Sequence, residues 1–160
     1  MGGISPNKNL TMLVRAFAIV RERLPGTTLV LAGDRDADGF RSCTSEVEET
    51  IRQYYLEGSV VWTGWVSDDA LRSLYSGTSL FALPSLDEGF GLPALEAMAC
   101  GAPVVVSSGN ALAEVVGSAG LVVDPHDRAG LAAAMERVLT DAALAAELVP
   151  GGGGGGSLAP

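Results

Sequence analysis

The stretch Glu88-Gly-Phe-Gly-Leu-Pro-Ala-Leu-Glu96, continued by Ala97-Met-Ala-Cys-Gly-Ala-Pro-Val-Val-Val106, decides the fold. Just before it, Ser79-Leu-Phe-Ala-Leu83 is a short apolar run ended by turn residues, which reads as a buried strand. Pro93 suits the first turn of a helix, where its missing N–H costs nothing. Gly101 suits the position just past a helix end, where a left-handed residue is wanted. The helix is therefore expected over about Leu92 to Cys100, and Pro103 to Val106 follows as a second apolar strand. A strand, a glycine-rich turn, a helix and another strand form the repeating unit of a parallel α/β sheet.

The turn also carries chemistry. Gly89 and Gly91 have no Cβ, so the backbone there can approach a ligand closely. The N–H groups at the helix start point outward and favour negative charge, by about 0.3–1 kcal/mol at exposed sites and up to ~2 when partly buried. Glu88 lies on the loop and Glu96 about one turn into the helix. Taken singly, Glu88 reads as a solvated loop residue and Glu96 as a first-turn glutamate favoured by the helix dipole. Taken together, two separated carboxylates at an anion-attracting turn suit a ligand with both hydroxyls and a diphosphate.

Outward from this stretch, strand-like and helix-like segments alternate. Lys8 to Leu24 carries apolar residues at near-helical spacing and is stopped by Pro25-Gly26. Thr28 to Ala32 reads as a buried strand, Asp34 to Ser42 as a polar loop, and Thr44 to Leu56 as an amphipathic helix. Ser59 to Thr63 is a strand. Ser67 is the expected cap of a helix through Tyr75, with Asp68 and Asp69 in its first turn. Ala111 to Val116 and Arg128 to Leu139 are helices, Gly120 to Val123 is a strand, and a last helical piece lies near Asp141 to Leu148. This alternation predicts a doubly wound parallel sheet, which binds ligands at the carboxyl ends of its strands. The first strand of such a sheet is central, and only Met1 to Ile4 are present to supply it, so its neighbours are expected to keep unpaired edges. Gly151 to Pro160, hexaglycine then Ser-Leu-Ala-Pro, reads as flexible coil.

The 160 residues amount to one ordinary domain, 48% apolar and 18% charged. A formal net charge of −9 argues against nucleic-acid binding, which needs a basic face. An anionic ligand must then be held by local cations and backbone dipoles. No apolar run is long enough to span a bilayer, and no charged-then-apolar leader opens the chain. Cys43 and Cys100 make no disulfide framework, and a reduced, cytoplasmic setting is expected. Gly33-Asp-Arg-Asp-Ala-Asp-Gly39 lacks the glycine spacing of a dinucleotide-binding turn. Nothing resembles a metal cluster, and no cofactor is expected. His126, the sole histidine, sits in a turn before a helix.

The run Pro84 to Val105 closely resembles the signature of retaining, nucleotide-sugar-dependent glycosyltransferases of family four, GT-B type. Gly2-Gly-Ile-Ser-Pro-Asn-Lys-Asn-Leu10, Leu31 to Asp34, Val61 to Val66, Leu71 to Tyr75 and Glu114 to Pro125 extend the resemblance from about residue 2 to 148. It implies a Rossmann-like, doubly wound α/β sheet, one half of a GT-B fold. Residues 1–148 would form the donor-binding domain and 149–160 a glycine-rich tail. Lys8 matches the lysine that holds the donor diphosphate. Glu88 matches the catalytic-site acid near the sugar hydroxyls, and Glu96 the acid that takes the ribose hydroxyls. Gly89, Phe90, Gly91 and Leu92 match the backbone contacts to phosphate and sugar. Val66, beside Trp65, matches the loop that touches the base, although Trp65 reads equally as a packing residue. Gly3 stands where many members have an arginine, so one diphosphate cation is missing unless Arg35 or another residue substitutes.

The activity implied is transfer of a hexosyl group from a nucleotide diphosphate sugar to an acceptor hydroxyl. The partner it implies is an amino-terminal acceptor domain, without which this chain is inactive. The resemblance also allows peripheral membrane association of the complete enzyme and self-association of this chain. The competing readings are a non-catalytic nucleotide-sugar-binding module, an inactive truncated fragment, and half of a sugar-nucleotide epimerase, the last disfavoured by the full Glu88 to Glu96 pattern.

Overall fold

The structure is a computed structural model and describes residues 4–35 and 41–150. Its elements run α1 (Leu10–Arg23), β1 (Leu29–Ala32), α2 (Arg41–Gln53), β2 (Val60–Gly64), α3 (Asp68–Gly77) and β3 (Phe81–Leu83). They continue with α4 (Leu92–Ala99), β4 (Val104–Ser107), α5 (Leu112–Val116), β5 (Gly120–Val123), α6 (Arg128–Thr140) and α7 (Ala142–Glu147). The expectations placed on Met1 to Gly3, on residues 36–40 of the polar loop and on the tail from Gly151 lie outside the described residues.

The ladders between strands are all parallel, with Leu29 opposite Val60, Phe81 opposite Val104, and Val104 opposite Gly120. β4 lies between β3 and β5 and is buried along its whole length. Its side chains alternate between two cores. Val105 joins Phe17, Leu131 and Met135 from α1 and α6, whereas Val104 and Val106 join Ala94, Ala97, Leu112 and Val116 from α4 and α5. A strand apolar on both faces, with helices on each, is the expected doubly wound arrangement.

The sheet is not continuous. β1 pairs only with β2, and β3 forms the edge of a separate three-stranded sheet ordered β3-β4-β5. Among the described residues no strand joins the two. Ile4, the first described residue, is buried and in coil.

Most helix ends follow local sequence. Ser67 Oγ accepts from the Ala70 N–H at 3.2 Å, and the Asp127 and Asp141 carboxylates cap α6 and α7 at 2.9 and 3.0 Å. Pro93 sits in the first turn of α4, and Gly101 follows its end at φ 83°. α1 differs from expectation. It begins at Leu10, because Pro6–Lys8 form a separate short 3-10 turn and Asn9 breaks the path at φ 56°. Asparagine tolerates that left-handed geometry better than most residues. Cys100 is half-buried and packs against the α4–α5 core.

Candidate functional site

After β3 the chain turns through Pro84 to Gly91 before entering α4, and this turn is braced from three sides. The loop before α1 runs alongside it, with the Leu86 N–H donating to the Asn7 carbonyl at 2.8 Å. Asn9 uses both side-chain amide hydrogens, one to the Pro84 carbonyl and one to the Pro125 carbonyl, each at 3.0 Å. Ser85 is fully buried, and its carbonyl accepts from Ser107 Oγ and, at 3.1 Å, from Asn110 Nδ2. Asn110 Nδ2 also donates to Ser107 Oγ at 3.1 Å, while its Oδ1 accepts the Leu112 N–H at 2.8 Å. The end of β4 and the start of α5 thus hold the turn through a closed set of hydrogen bonds. A buried polar network with every member paired fixes one geometry.

On this frame stand Lys8 and Glu88, 80 residues apart in sequence. Lys8 Nζ lies 2.9 Å from Glu88 Oε2, and Ser85 Oγ donates to the same oxygen at 3.0 Å. Their side chains are only 24% and 14% exposed, so the pair is less screened by solvent than a surface ion pair. Glu88 leads directly through Gly89 and Phe90 to Gly91, the residue that caps α4 at φ 71°. The first turn of α4 supplies backbone N–H groups with no intrahelical partner. A cation, a carboxylate and a helix start therefore converge at the carboxyl end of β3.

The two glycines have different physical roles. A Cβ on Gly89 would meet nothing within 4 Å, so that position is open. A Cβ on Gly91 would lie 2.8 Å from Leu112 Cδ2 and 3.6 Å from Val115 Cγ2. Gly91 is required by its left-handed φ and by the close seating of α4 against α5. Phe90 and Leu92 are exposed beside it.

Glu96 is exposed on α4, and the side chain beside it is Tyr75 from α3. Tyr75 is buried, its ring meets Phe81 edge-on with centroids 5.4 Å apart, and its phenol lies near the Glu96 carboxylate. Burial first, and then the negative charge of Glu96, push the phenol up to about 12. Folding therefore favours neutral Tyr75. The corresponding stability is complete below pH ~10, where the unfolded phenol is also neutral, and is lost as pH rises toward 12. Denaturation between pH 9 and 11.5 should show a decline on the order of 2 kcal/mol that Tyr75→Phe removes. An equal decline in Tyr75→Phe would mean that other groups cause it.

Val66 is half-buried on the loop after β2, and Trp65 beside it is 79% exposed, which removes the packing reading of Trp65. Arg35, one candidate substitute cation, pairs with Glu48 at 3.4 Å. Gly3 lies outside the described residues. His126 is exposed and precedes α6. Among the described residues no group of three His, Cys, Asp or Glu side chains is placed to hold a metal ion, and no helix is long and apolar enough to cross a membrane. The structure thus joins Lys8 to Glu88, places Glu96 on the following helix against Tyr75, and leaves Val66 at the end of a different sheet. Asn9, Ser85, Ser107 and Asn110 were missed. Their only sequence signal was turn-prone residues after apolar runs.

The family model described as Glycosyl transferases group 1 matches residues 1–141. O-antigen chain mannosyltransferase B of Escherichia coli is 38% identical over 146 residues, which cover 88% of this chain and 36% of that protein. Sucrose-phosphate synthase of Thermosynechococcus elongatus superposes with a TM-score of 0.84 at 33% identity, over 95% of this chain and 38% of that one. Anabaena Alr3699/HepE, in complex with UDP and glucose, superposes equally well at 0.84 with 28% identity, over 93% of this chain and 40% of that one. The chain spans little more than a third of the mannosyltransferase's length. With its doubly wound parallel sheets, its glycine-capped α4 and these matches, the chain belongs to the group 1 glycosyltransferases, as one Rossmann-like half of their GT-B fold.

Proposed function

We propose that this chain is the donor-binding domain of a retaining hexosyltransferase, with the nucleotide diphosphate sugar seated at Lys8, Glu88 and the start of α4. The observation that carries the reading is the Lys8–Glu88 pair, a half-buried cation and carboxylate side by side at the entry to a helix N-terminus. A relative solved with UDP and glucose supports the ligand class, and the mannosyltransferase relative supports a hexosyl group.

In this reading the diphosphate displaces Glu88 as the partner of Lys8. It gains the lysine charge and the N–H groups of the first α4 turn, which then stabilise the leaving diphosphate as the glycosidic bond breaks. Glu88, released on its braced turn, accepts hydrogen bonds from sugar hydroxyls. Glu96, steadied by Tyr75, accepts them from the ribose, and the loop at Val66 faces the base. Retention follows from attack on the same face that the diphosphate leaves. The acceptor hydroxyl must be held against the donor, and such positioning supplies effective molarities of about 10⁵–10⁸ M. The second wall of that cleft belongs to another domain.

The two acids separate the roles experimentally. Glu96→Gln weakens binding of the bare nucleoside diphosphate. Glu88→Gln spares it and loses the extra affinity conferred by the sugar. Calorimetric titration of both variants with a nucleoside diphosphate and its sugar checks this. Equal losses on the bare nucleotide would contradict the assignment, and sugar transfer by the chain alone would place the acceptor site within these residues.

A further inference from the structure

Lys8 is the only lysine in the chain, and its charge stands at the end of a flexible four-carbon stem. Its ammonium keeps one place only if the backbone beneath it is held. Two tethers flank it. On one side the Asn7 carbonyl accepts the Leu86 N–H at 2.8 Å. On the other, Asn9 Nδ2 donates to the Pro84 carbonyl at 3.0 Å. Both tethers end on segment 84–86, which runs into Glu88. The same Asn9 amide donates its second hydrogen to the Pro125 carbonyl, also at 3.0 Å, so the loop before α1 is tied to the turn after β5 as well. Pro84 and Pro125 are both buried.

Asn9 is used here in an uncommon way. At a helix start an asparagine side chain ordinarily accepts a hydrogen bond from an N–H two or three residues on. Asn9 stands at the start of α1 and makes no such bond. Its backbone lies at φ 56°, a conformation that glycine adopts without a steric penalty. Glycine would serve the helix start and the φ equally well. It would not serve the two carbonyls, because a side-chain amide offers two hydrogens at once where a hydroxyl offers one.

We infer that Asn9 is a positioning residue for Lys8: its bridge from Pro84 to Pro125 fixes the lysine ammonium beside Glu88 and, resting on the functional reading above, sets the strength with which the diphosphate is held. Displacement of a binding group by about 1 Å, caused by a change outside the site, can cost on the order of 10²-fold in rate. Loss of the Asn9 bridge leaves the cation and the Asn7 tether in place, so its effect is smaller than that of deleting Lys8.

Asn9→Gly is the test, since it keeps the left-handed backbone and removes both donated hydrogens. Asn9→Ser, with one hydroxyl donor, is read beside it, and alone should the glycine chain not fold. Two readouts separate positioning from general loosening. The first needs no ligand: acylation of the lysine amine, mapped by mass spectrometry to Lys8. It speeds up by roughly two- to fivefold in Asn9→Gly, as the hold of Glu88 on the ammonium slackens, and by less in Asn9→Ser. The second is calorimetric titration with UDP, GDP and ADP of the parent, Asn9→Gly, Lys8→Ala and the double variant. Asn9→Gly weakens binding by about five- to tenfold in the parent and by less than ~twofold once Lys8 is alanine. A role confined to holding the fold together would lower affinity equally in both backgrounds, and that result overturns the inference. So does an unchanged acylation rate. If Lys8→Ala binds as the parent does, the functional reading fails and with it the tie to the diphosphate, while the acylation rate still decides whether Asn9 places Lys8.

Discussion

Gly91→Val lowers the melting temperature by about 5–15 °C and abolishes donor binding, whereas Gly89→Ala leaves stability within ~0.5 kcal/mol of the parent. The contrast rests on two glycines separated by one residue. Gly91 holds φ at 71°, a left-handed conformation that costs a residue with a Cβ about 1–2 kcal/mol. Its Cβ would also lie 2.8 Å from Leu112 Cδ2, so the fully buried Leu112 side chain would have to shift within the core. Overpacking of this kind costs about 1–3 kcal/mol. The sum, roughly 2–5 kcal/mol, is a large part of the 5–15 that holds an ordinary domain. A shift of α4 that relieves the clash changes the position of its first turn beside Glu88. Gly89 has neither restriction, since a Cβ there meets open space. Thermal melts of both variants check this, and a Gly91→Val chain as stable as the parent would contradict the packing described for α4 and α5.

Lys8→Ala reduces affinity for a nucleoside diphosphate by about 10- to 100-fold, the loss of one charge-assisted hydrogen bond worth about 1.5–3 kcal/mol. Lys8 is the cation paired with Glu88 and has only about a quarter of its side chain exposed, so water replaces it poorly. The fold tolerates the change, because Glu88 keeps Ser85 Oγ as a partner. Lys8→Arg retains much of the affinity, since the charge remains. Titration of the three chains with one nucleotide separates charge from fold. Unchanged affinity in Lys8→Ala would remove this residue from the site.

The legible parts of the molecule are those set by local chemistry. Pro93 and Gly101 marked both ends of α4, and Ser67 marked the start of α3, because caps and backbone restrictions act within a few residues. The consecutive valines at 104–106 announced a strand buried on both faces. Long-range constraints were not legible. Nothing near Asn9 shows that its amide is claimed by the carbonyls of Pro84 and Pro125, which is why α1 starts later than its apolar periodicity suggests. The Tyr75 phenol reaches Glu96 only because α3 packs on α4, so a tyrosine that ends an apolar pattern carries no sign of its role. Glu88 was singled out by the chemistry of its turn and Lys8 by resemblance, but their direct contact depends on the loop before α1 lying along the turn after β3. One continuous sheet was expected, whereas among the described residues β1 pairs only with β2, and β3 only with β4.

The central claim is that Lys8, Glu88 and the start of α4 form one site for a nucleotide diphosphate sugar. Calorimetric titration of the intact chain with UDP, GDP and ADP and their hexose derivatives, repeated on Lys8→Ala, tests it most directly. The account predicts one-to-one saturable binding of at least one nucleotide, tighter for its sugar than for the bare diphosphate, and weakened at least tenfold in Lys8→Ala. Saturable binding that Lys8→Ala leaves unchanged, or no binding of any of these ligands by a chain that melts cooperatively, would contradict it.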